Sequence, residues 1–513
     1  MTPQKKHTLA LGFASLLCLL STSETLHAEV SGVKTKAAQL SNTASNTKIL
    51  EQHWRVVLFD GQKVGHAFAE RKRENGEYVN REVMDLDIKR GASQVKLYTE
   101  QAFVENENQQ PTGFVTRILM SSAETLIKGK IDAARTMQIT QTVGGMTQTS
   151  SQPLPADVLF PEAQIALLKT QGFKPGAVVK FRALDPSSME IMQIITKFIA
   201  RKPVDLVTET RELFEVKQSL SYPQATIEAQ AFVDDDFVPL KTRVDMMGIT
   251  LEITEATKKM ALAPNQSVDE LQRLMLTSPR ALTKSELDSG LRYTLKHVGE
   301  GEIDGTDEQR VTQNAAGFIV DVCARCGAPE LLSSAELMPF LQATSYLQSD
   351  ALAMQKAAVG ALTKLSKTAR ADHRQAMQTL EIYVRNLIVD KNLDVGYASA
   401  LEVLQNPSGD CTEHAVLLAA LGRAAGVPTR VAGGFAYAPE YLGQKRTFVP
   451  HAWVQAYIDG RWHSFDAALD GFNAGHITIE TGNGDPSRFY GSVHLLGNLE
   501  ITAVRALTAA ELK

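Results

Sequence analysis

Three residue types that together make an activated thiol nucleophile occur in order near the C-terminal end of the sequence. They are Cys411, His451 and Asp466. A cysteine attacks a carbonyl carbon as its thiolate, a histidine can draw off the thiol proton, and an aspartate can orient the imidazole. This order of residue types indicates nucleophilic chemistry, provided that the surrounding elements bring the three side chains together.

A helix is predicted to begin at Cys411. An apolar run with helical spacing follows the cysteine, and Asp410 before it is of the type that caps a helix N-terminus. The first turn of a helix lies at the positive end of the helix dipole, which favours thiolate over thiol. A buried structural cysteine is the alternative, and the histidine and aspartate motifs favour catalysis over it.

A β-hairpin is predicted to place His451 beside Asp466. Residues 453–458 alternate apolar and polar side chains, and the Asp-Gly pair at 459–460 is typical of a tight turn. A second strand is expected at residues 461–465. A histidine at the start of one hairpin strand and an aspartate at the end of its partner can then lie side by side.

The sequence around these residues resembles the transglutaminase-like superfamily, whose fold is papain-like. The motifs that carry the resemblance are Gly409-Asp410-Cys411, Arg423 to Arg430, His451-Ala452-Trp453 and Trp462 to Asp466. The resemblance covers roughly residues 345–485. It implies an α+β catalytic core with a triad of Cys411, His451 and Asp466.

The resemblance also implies acyl transfer on an amide, which needs no metal and no organic cofactor. Cys411 would attack the carbonyl carbon while His451 protonates the leaving amine. Backbone N–H groups at the helix start would hold the oxyanion, and Tyr397, Asp410 and Trp453 are further candidates for oxyanion or substrate contacts. Water as the second nucleophile makes a peptidase or amidase, whereas an amine makes a cross-linking transamidase. We expect hydrolysis of a peptide or protein amide, with transamidation as the alternative.

Residues 1–28 are typical of a cleaved signal peptide. Basic residues precede an apolar run from Leu9 to Leu20, and Ala28 suits a cleavage site. The run is shorter than the ~20 residues of a spanning helix, and no later stretch approaches that length. We therefore expect a periplasmic or secreted protein, with a mobile leader at residues 29–50 and no transmembrane span in the mature chain.

The mature chain has three cysteines, which are Cys323, Cys326 and Cys411. The predicted export affects which of them can form a disulfide. In an oxidising compartment Cys323 and Cys326 can form a disulfide, which leaves Cys411 as the odd thiol. We expect no metal at the Cys-x-x-Cys pair because a zinc site needs a second pair of ligands. A glycine and a proline follow the pair, and they argue against the helix of a thioredoxin-like redox motif.

Residues 51–257 have the pattern of an all-β domain. About ten antiparallel strands in roughly 200 residues favour an open, strongly curved sheet or half-barrel. Such a sheet could hold an apolar ligand, a glycan or an envelope protein, and a packed accessory domain is the alternative. A linker at 258–285, a short β-segment with the Cys-x-x-Cys pair at 286–330 and the catalytic domain at 331–513 complete the predicted multidomain fold.

The composition excludes some functions and leaves others open. A net charge of −5 and 6% aromatic residues argue against nucleic-acid binding. A non-catalytic envelope binding or assembly protein that uses the β-domain is the main rival to an enzyme, and thiol–disulfide exchange is a weaker one. An activated thiolate is an oxidation liability, which favours a catalytic use of Cys411.

Overall fold

The computed structural model describes residues 47–90, 93–120, 123–223, 226–246, 249–266, 274–297, 302–390, 398–484, 495 and 498–512. The predicted signal peptide at 1–28, most of the predicted leader at 29–50 and Tyr397 lie outside these residues. The first strand begins at Thr47, inside the predicted leader. No helix within the described ranges is long and apolar enough to cross a membrane.

Fourteen antiparallel strands form one large sheet, which we call the N-terminal sheet. Buried and less buried residues alternate along most of these strands, as expected for a sheet with one face on a core. The strands are β1 Thr47–Phe59, β2 Gln62–Glu74, β3 Glu77–Arg90, β4 Ser93–Glu105, β5 Pro111–Met120, β6 Ala123–Ile131, β7 Thr136–Val143, β8 Met146–Pro153, β9 Val178–Asp185, β10 Glu190–Asp205, β11 Thr210–Ser221, β12 Thr226–Val233, β13 Pro239–Met246 and β14 Ile249–Glu255.

The chain enters the N-terminal sheet at its middle. The strand order is β9-β10-β11-β12-β13-β14-β1-β2-β3-β4-β5-β6-β7-β8, so β1 pairs with both β14 and β2. The predicted all-β region is confirmed, with more strands than the sequence pattern resolved. One of the additional strands is β8, a largely exposed edge strand whose Thr, Ser and Gln residues show no apolar alternation. The segment at 189–199, which fits neither period cleanly, belongs to β10.

The N-terminal sheet curls so that its two halves share a core. Phe103 of β4 and Ile127 of β6 lie in one apolar cluster with Leu184 of β9, although β9 is at the opposite edge in strand order. A flat sheet would hold these strands far apart. Helix α1 (Pro161–Gln171) lies between β8 and β9 in the chain, and its Leu168 lines the interior beside residues of β10 to β13.

The rest of the chain forms two smaller sheets with helices packed on them. One has the strand order β15-β20-β19-β22 with β21 paired to β20, and the other has the order β17-β18-β16-β23. The elements are α2 Lys258–Ala261, β15 Leu276–Thr277, α3 Lys284–Ser289, β16 Leu291–His297, β17 Gln309–Asn314, β18 Gly317–Val322, α4 Ser334–Leu337, α5 Leu352–Ala361, α6 Lys367–Ala371, α7 His373–Leu387, α8 Ala400–Gln405, α9 Cys411–Ala424, β19 Thr429–Tyr441, β20 Gln444–Ile458, β21 Arg461–Phe465, β22 His476–Gly482 and β23 Leu499–Ala506.

Segments far apart in the sequence complete the two smaller sheets. Leu276 of β15, in the predicted linker, pairs with Phe448 of β20. β16 pairs with β18 on one side and with the late strand β23 on the other. Cys323 and Cys326 form a disulfide just after β18, and both cysteines are buried against Leu507 beyond β23. The disulfide therefore holds the chain at a point where early and late segments meet.

Helix α9, which begins at Cys411, is the central helix of this region. Residues 412–423 are all buried. The helix packs against β19 and β20 on one side and against α5, α7 and α8 on others. A helix that is buried nearly all round has an apolar surface nearly all round, which explains the continuous apolar run after the cysteine.

Gly434 on β19 occupies a position with no room for a side chain. It pairs with His451 of β20 and with Thr478 of β22, and a β-bulge lies between Gly433 and Gly434. A Cβ atom at this position would lie 2.0 Å from the backbone oxygen of Ile477. Close approach of these three strands therefore depends on glycine.

We expect Gly434→Ala to lower the free energy of unfolding by about 2–3 kcal/mol, because strand β22 must move away from β19. The control is Gly360→Ala in α5, where a Cβ atom meets nothing within 4 Å. That change should stabilise the protein by up to ~1 kcal/mol through helix propensity. Urea unfolding of both variants measures this, and equal effects would contradict the strand-packing argument.

Candidate active site

Cys411 is the first residue of α9, and its helix start is held by a reciprocal capping box. The Asp410 carboxylate accepts a hydrogen bond from the Thr412 N–H at 2.6 Å. The Glu413 carboxyl accepts one from the Asp410 N–H at 3.0 Å. This geometry satisfies N–H groups at the helix start and fixes the backbone that carries the thiol. Asp410 thus caps the helix, as its residue type predicts, and its expected role as an oxyanion or substrate contact stays a prediction.

Glu413 ties the helix start to the segment that precedes it. Its side chain is completely buried, and Oε1 accepts a hydrogen bond from the Ala398 N–H at 3.0 Å. Burial, and then the neighbouring Asp410 carboxylate, raises the pKa of Glu413 well above its usual range. Burial therefore favours the protonated form of this carboxyl, which holds two backbone segments together.

His451 and Asp466 lie side by side, as the hairpin pattern predicts. The His451 Nε2 atom is 2.7 Å from Asp466 Oδ2. Asp466 follows β21, which pairs with β20 in antiparallel register with Phe465 opposite Val454. With Nε2 engaged by the carboxylate, Nδ1 is the ring nitrogen of His451 that can serve a second partner.

The Asp466 carboxylate is almost completely buried and fully hydrogen-bonded. Its Oδ1 atom accepts hydrogen bonds from the Ala468 N–H at 2.8 Å and the Leu469 N–H at 3.1 Å. Burial alone would raise the pKa of Asp466, but His451 and His476 hold it well below its usual range. Asp466 is therefore ionised across the physiological pH range.

His476 is a member of this site that the sequence analysis missed. Its Nε2 atom lies 3.0 Å from Asp466 Oδ2, the same oxygen that contacts His451. The ring is 1% exposed, and Nδ1 lies 3.1 Å from the Asn473 backbone oxygen. Neither the spacing nor the pattern of the residues around His476 distinguishes this histidine in the sequence. Its role depends on β22 joining the sheet beside β19.

Trp453 forms the buried wall behind the two histidines. Its ring stacks on His451 at 6.1 Å between centroids and meets His476 edge-on at 5.2 Å. The indole N–H donates to the Ser464 hydroxyl at 3.3 Å, and the residue is 1% exposed. Trp453 therefore packs on both imidazoles, and the substrate or oxyanion contact expected for it stays a prediction.

Helix α7 fixes the backbone of Asp466. The Glu381 carboxyl accepts a hydrogen bond from the Asp466 N–H at 2.8 Å. The Arg385 guanidinium donates to the Asp466 backbone oxygen at 3.1 Å. Both residues are one turn apart on α7, which itself packs against α9. The same helix pair thus supports the aspartate and the cysteine.

The remaining predicted residues lie elsewhere. Tyr397 is outside the described residues. His463 of β21 is half-buried, and its Nε2 accepts a hydrogen bond from Arg374 at 2.9 Å. Burial and the Arg374 charge lower the pKa of His463 to about 4, so this imidazole is neutral at pH 7. The Cys323–Cys326 disulfide belongs to another sheet.

His451, Asp466 and His476 are also a possible metal-ligand set, since their donor atoms lie within 4.8 Å of one another. Zinc ligands lie about 2.0–2.2 Å from the ion, which separates ligand atoms by about 3.3 Å in tetrahedral geometry. The nitrogen–oxygen distances here are 2.7 and 3.0 Å. Such distances favour an imidazole–carboxylate–imidazole hydrogen-bond network.

Comparison with known families agrees with the motifs. A family profile described as the transglutaminase-like superfamily matches residues 361–467. The chain therefore carries a transglutaminase-like domain at these residues, and the resemblance stated from the motifs is confirmed. The predicted fold class, an N-terminal all-β region followed by a transglutaminase-like core, is confirmed as well. No curated protein matches the chain.

Three solved structures are similar to parts of the chain. A candidate cysteine protease from Cytophaga hutchinsonii is 20% identical over 43% of this chain and 84% of its own, with a TM-score of 0.26. A beta-barrel-like protein of a domain of unknown function from Brucella abortus is 8% identical over 40% and 95%, with a TM-score of 0.33. A candidate protease from Parabacteroides distasonis is 10% identical over 71% and 69%, with a TM-score of 0.19. Structural similarities this weak do not indicate a function for this chain.

The raised pKa of Glu413 predicts a pH-dependent stability difference. In the folded chain this carboxyl keeps a proton that the unfolded chain loses above its usual pKa of 4.5, so folding stability falls as the pH rises. Glu413→Gln removes this dependence. We expect the stability of this variant relative to the unsubstituted protein to increase from pH 5 to pH 8, as measured by urea unfolding.

The companion variant Glu413→Ala leaves the Ala398 and Asp410 N–H groups without their acceptor. Relative to Glu413→Gln it should cost about 1–3 kcal/mol at every pH, which is the penalty of an orphaned buried donor. A constant difference between Glu413→Gln and the unsubstituted protein from pH 5 to pH 8 would contradict a protonated Glu413.

Proposed function

We propose that this chain is an exported thiol enzyme that transfers acyl groups from amides through Cys411, His451 and Asp466. The observation that carries the proposal is the 2.7 Å contact between His451 Nε2 and a buried, ionised Asp466. A carboxylate kept charged in this setting orients an imidazole and stabilises its protonated form. The transglutaminase-like domain at 361–467 supports a cysteine enzyme over a structural role for Cys411.

In the proposed reaction His451 Nδ1 accepts the thiol proton of Cys411. The thiolate sulfur then forms a bond to the amide carbonyl carbon, and the oxyanion is held by backbone N–H groups at the start of α9. The C–N bond breaks as the imidazolium returns the proton to the leaving amine, which leaves a thioester on Cys411. Water attacks the thioester, His451 takes its proton, and the carboxylic acid and the thiol are released.

Peptide or other amide hydrolysis in the cell envelope is the reaction we favour. Export is supported by the signal-like pattern of residues 1–28 and by the Cys323–Cys326 disulfide, since disulfides persist in oxidising compartments. If an amine replaces water in the second step, the same thioester yields a new amide, and the enzyme is a transamidase. The two outcomes share every residue named above.

The thiol should be activated in a way that depends on His451. We expect iodoacetamide to label Cys411 at pH 7 at least tenfold faster than a model peptide thiol, because the imidazole stabilises the thiolate. His451→Ala should lose most of this advantage, and Asp466→Asn should lose less. Cys411→Ser is the control for labelling at other sites, and mass spectrometry of tryptic peptides measures the rates.

Equal labelling rates in the unsubstituted protein, His451→Ala and Asp466→Asn would show that the proposed roles are wrong. If labelling is fast, a library of peptide amides with and without added glycine methyl ester separates the two reactions. Release of free carboxylate alone indicates hydrolysis. Incorporation of the ester amine indicates transamidation.

His476 should act as a positioning residue for Asp466. In His476→Phe the aromatic packing on Trp453 is retained, whereas one hydrogen bond to the carboxylate is lost. We expect Cys411 labelling at pH 7 to fall about tenfold, in line with the loss of one charge-assisted hydrogen bond that positions Asp466. The rise of the labelling rate with pH should move to higher pH, because a poorly positioned Asp466 leaves the thiolate–imidazolium pair less stable.

A merely structural role for His476 makes a different prediction. The amount of folded protein would fall, but the folded fraction would keep the pH profile of the unsubstituted protein. His476→Gln, which retains an N–H donor, should restore part of the labelling rate. An unshifted profile in His476→Phe would therefore remove His476 from the proposed site.

A further inference from the structure

Strand β21, which leads into Asp466, is an edge strand that pairs only with β20 within the part of the chain that the structure describes. Its Trp462 and Ser464 N–H groups are two residues apart and donate to two carboxyl groups outside the sheet. The acceptors are Asp307 Oδ2 at 3.2 Å and Glu308 Oε2 at 2.9 Å. Side chains therefore satisfy N–H groups that a neighbouring strand would otherwise satisfy.

Strand β22, which begins at His476, lies at the opposite edge of the same sheet and is held by the next residue of that segment. Gln309 Nε2 donates to the Thr478 backbone oxygen at 2.7 Å, and the Thr478 N–H donates to Gln309 Oε1 at 2.9 Å. Gln309 is 1% exposed and Thr478 is 2% exposed. The side-chain amide thus uses its donor and its acceptor as the backbone of a paired strand would.

Glu308 and Gln309 belong to a tight turn whose backbone is held on more than one side. The Thr306 N–H donates to the Gln309 backbone oxygen at 2.9 Å, and the Gln309 N–H donates to the Thr306 backbone oxygen at 3.2 Å. The disulfide loop supports the same turn, since the Cys323 N–H donates to the Glu308 backbone oxygen at 3.0 Å. The turn is therefore a fixed spacer between β21 and β22.

The two attachment points flank the contact between Asp466 and His476. Ser464 lies two residues before Asp466, and Thr478 lies two residues after His476. The 3.0 Å contact between the Asp466 carboxylate and the His476 ring joins opposite edges of the sheet, so the sheet must curl until these edges meet. The turn holds both edges next to the place where they meet.

We propose that Glu308 and Gln309 are positioning residues for the Asp466–His476 pair, a role that rests on the proposed reaction of Cys411. Each acts through the backbone of a strand and touches none of the reacting atoms. Both residues precede the part of the chain that matches the family profile. The active site of this chain thus includes a segment that comes before its transglutaminase-like domain.

The first test removes the two hydrogen bonds to β22. Gln309→Met keeps the approximate side-chain length but can neither donate to nor accept from the Thr478 backbone. We expect iodoacetamide to label Cys411 at pH 7 about tenfold more slowly in the folded variant, because His476 is no longer held beside the carboxylate. The rise of the labelling rate with pH should move to higher pH, because the thiolate–imidazolium pair is less stable.

Arg310→Met is the matched control. Arg310 follows Gln309 directly, and its guanidinium donates to Asp321 of β18 at 2.7 Å, within its own sheet. The substitution breaks a polar contact next to the turn and leaves the bonds to β21 and β22 in place. The labelling rate and its pH profile should therefore match those of the unsubstituted protein, and urea unfolding gives the folded fraction of each variant.

The double variant Gln309→Met/His476→Phe shows whether Gln309 acts through His476. If it does, the double variant labels no more slowly than His476→Phe alone, because the contact that Gln309 positions is already lost. Two independent structural losses would instead multiply their effects on the rate.

The Glu308 variants test the other edge and decide the matter if Gln309→Met does not accumulate in folded form. Burial raises the pKa of Glu308 to about 8, so at pH 7 the carboxyl is mostly neutral and resembles an amide. Glu308→Gln keeps an acceptor for the Ser464 N–H and should label at the unsubstituted rate. Glu308→Met removes the acceptor and should label about tenfold more slowly.

The outcomes distinguish a failure of this role from a failure of the proposed function. Slow or His451-independent labelling of the unsubstituted protein would overturn both. His451-dependent labelling that is unchanged in Gln309→Met and Glu308→Met overturns the positioning role alone. The role is also wrong if Glu308→Gln is as slow as Glu308→Met, if Arg310→Met slows labelling equally, or if the losses in the double variant multiply.

Discussion

The ionised carboxylate of Asp466 is buried to 1% exposure, and the architecture of the site follows from what such a group requires. A buried charge without partners costs several kcal/mol. Two imidazoles contact one oxygen, and two backbone N–H groups contact the other. Strands β20 and β22 supply the imidazoles, and α7 holds the peptide of the aspartate itself. One side chain therefore brings three elements to the same place.

The thiol is positioned by a different kind of constraint, which is the burial of α9. Its start is locked by Asp410 and by Glu413, which also accepts a hydrogen bond from the Ala398 N–H. The N-terminal sheet reaches this neighbourhood, since a Cβ atom on Gly144 would touch Ser399 and Glu402 at the start of α8. The Thr125 and Tyr346 hydroxyls also meet at 2.8 Å. The sheet thus lies against the segment that leads to Cys411.

Two buried arginines in the N-terminal sheet are held in different ways. Arg71 is neutralised by Glu162, and Asn80 donates to the same carboxylate. A network bonded in this way specifies the packing of α1 on the sheet. Arg55 has no bonded carboxylate at its buried Nε and Nη2 atoms among the described residues. Burial lowers the pKa of Arg55, and the nearby Glu82 and Glu255 carboxyl groups oppose that shift.

The sequence by itself determined the local elements and the motif residues. The helix at Cys411, the hairpin around residues 459–460 and most strands of the N-terminal sheet follow from periodicities and turn residues within short windows. Edge strand β8 was not predicted from the sequence, because both its faces are largely exposed and need no apolar alternation. Only the tertiary structure decided that His476 joins Asp466, that β1 lies at the middle of its sheet, and that Arg55 is buried. Each of these depends on contacts between segments that are distant in the chain, and such contacts leave no periodic trace in the sequence.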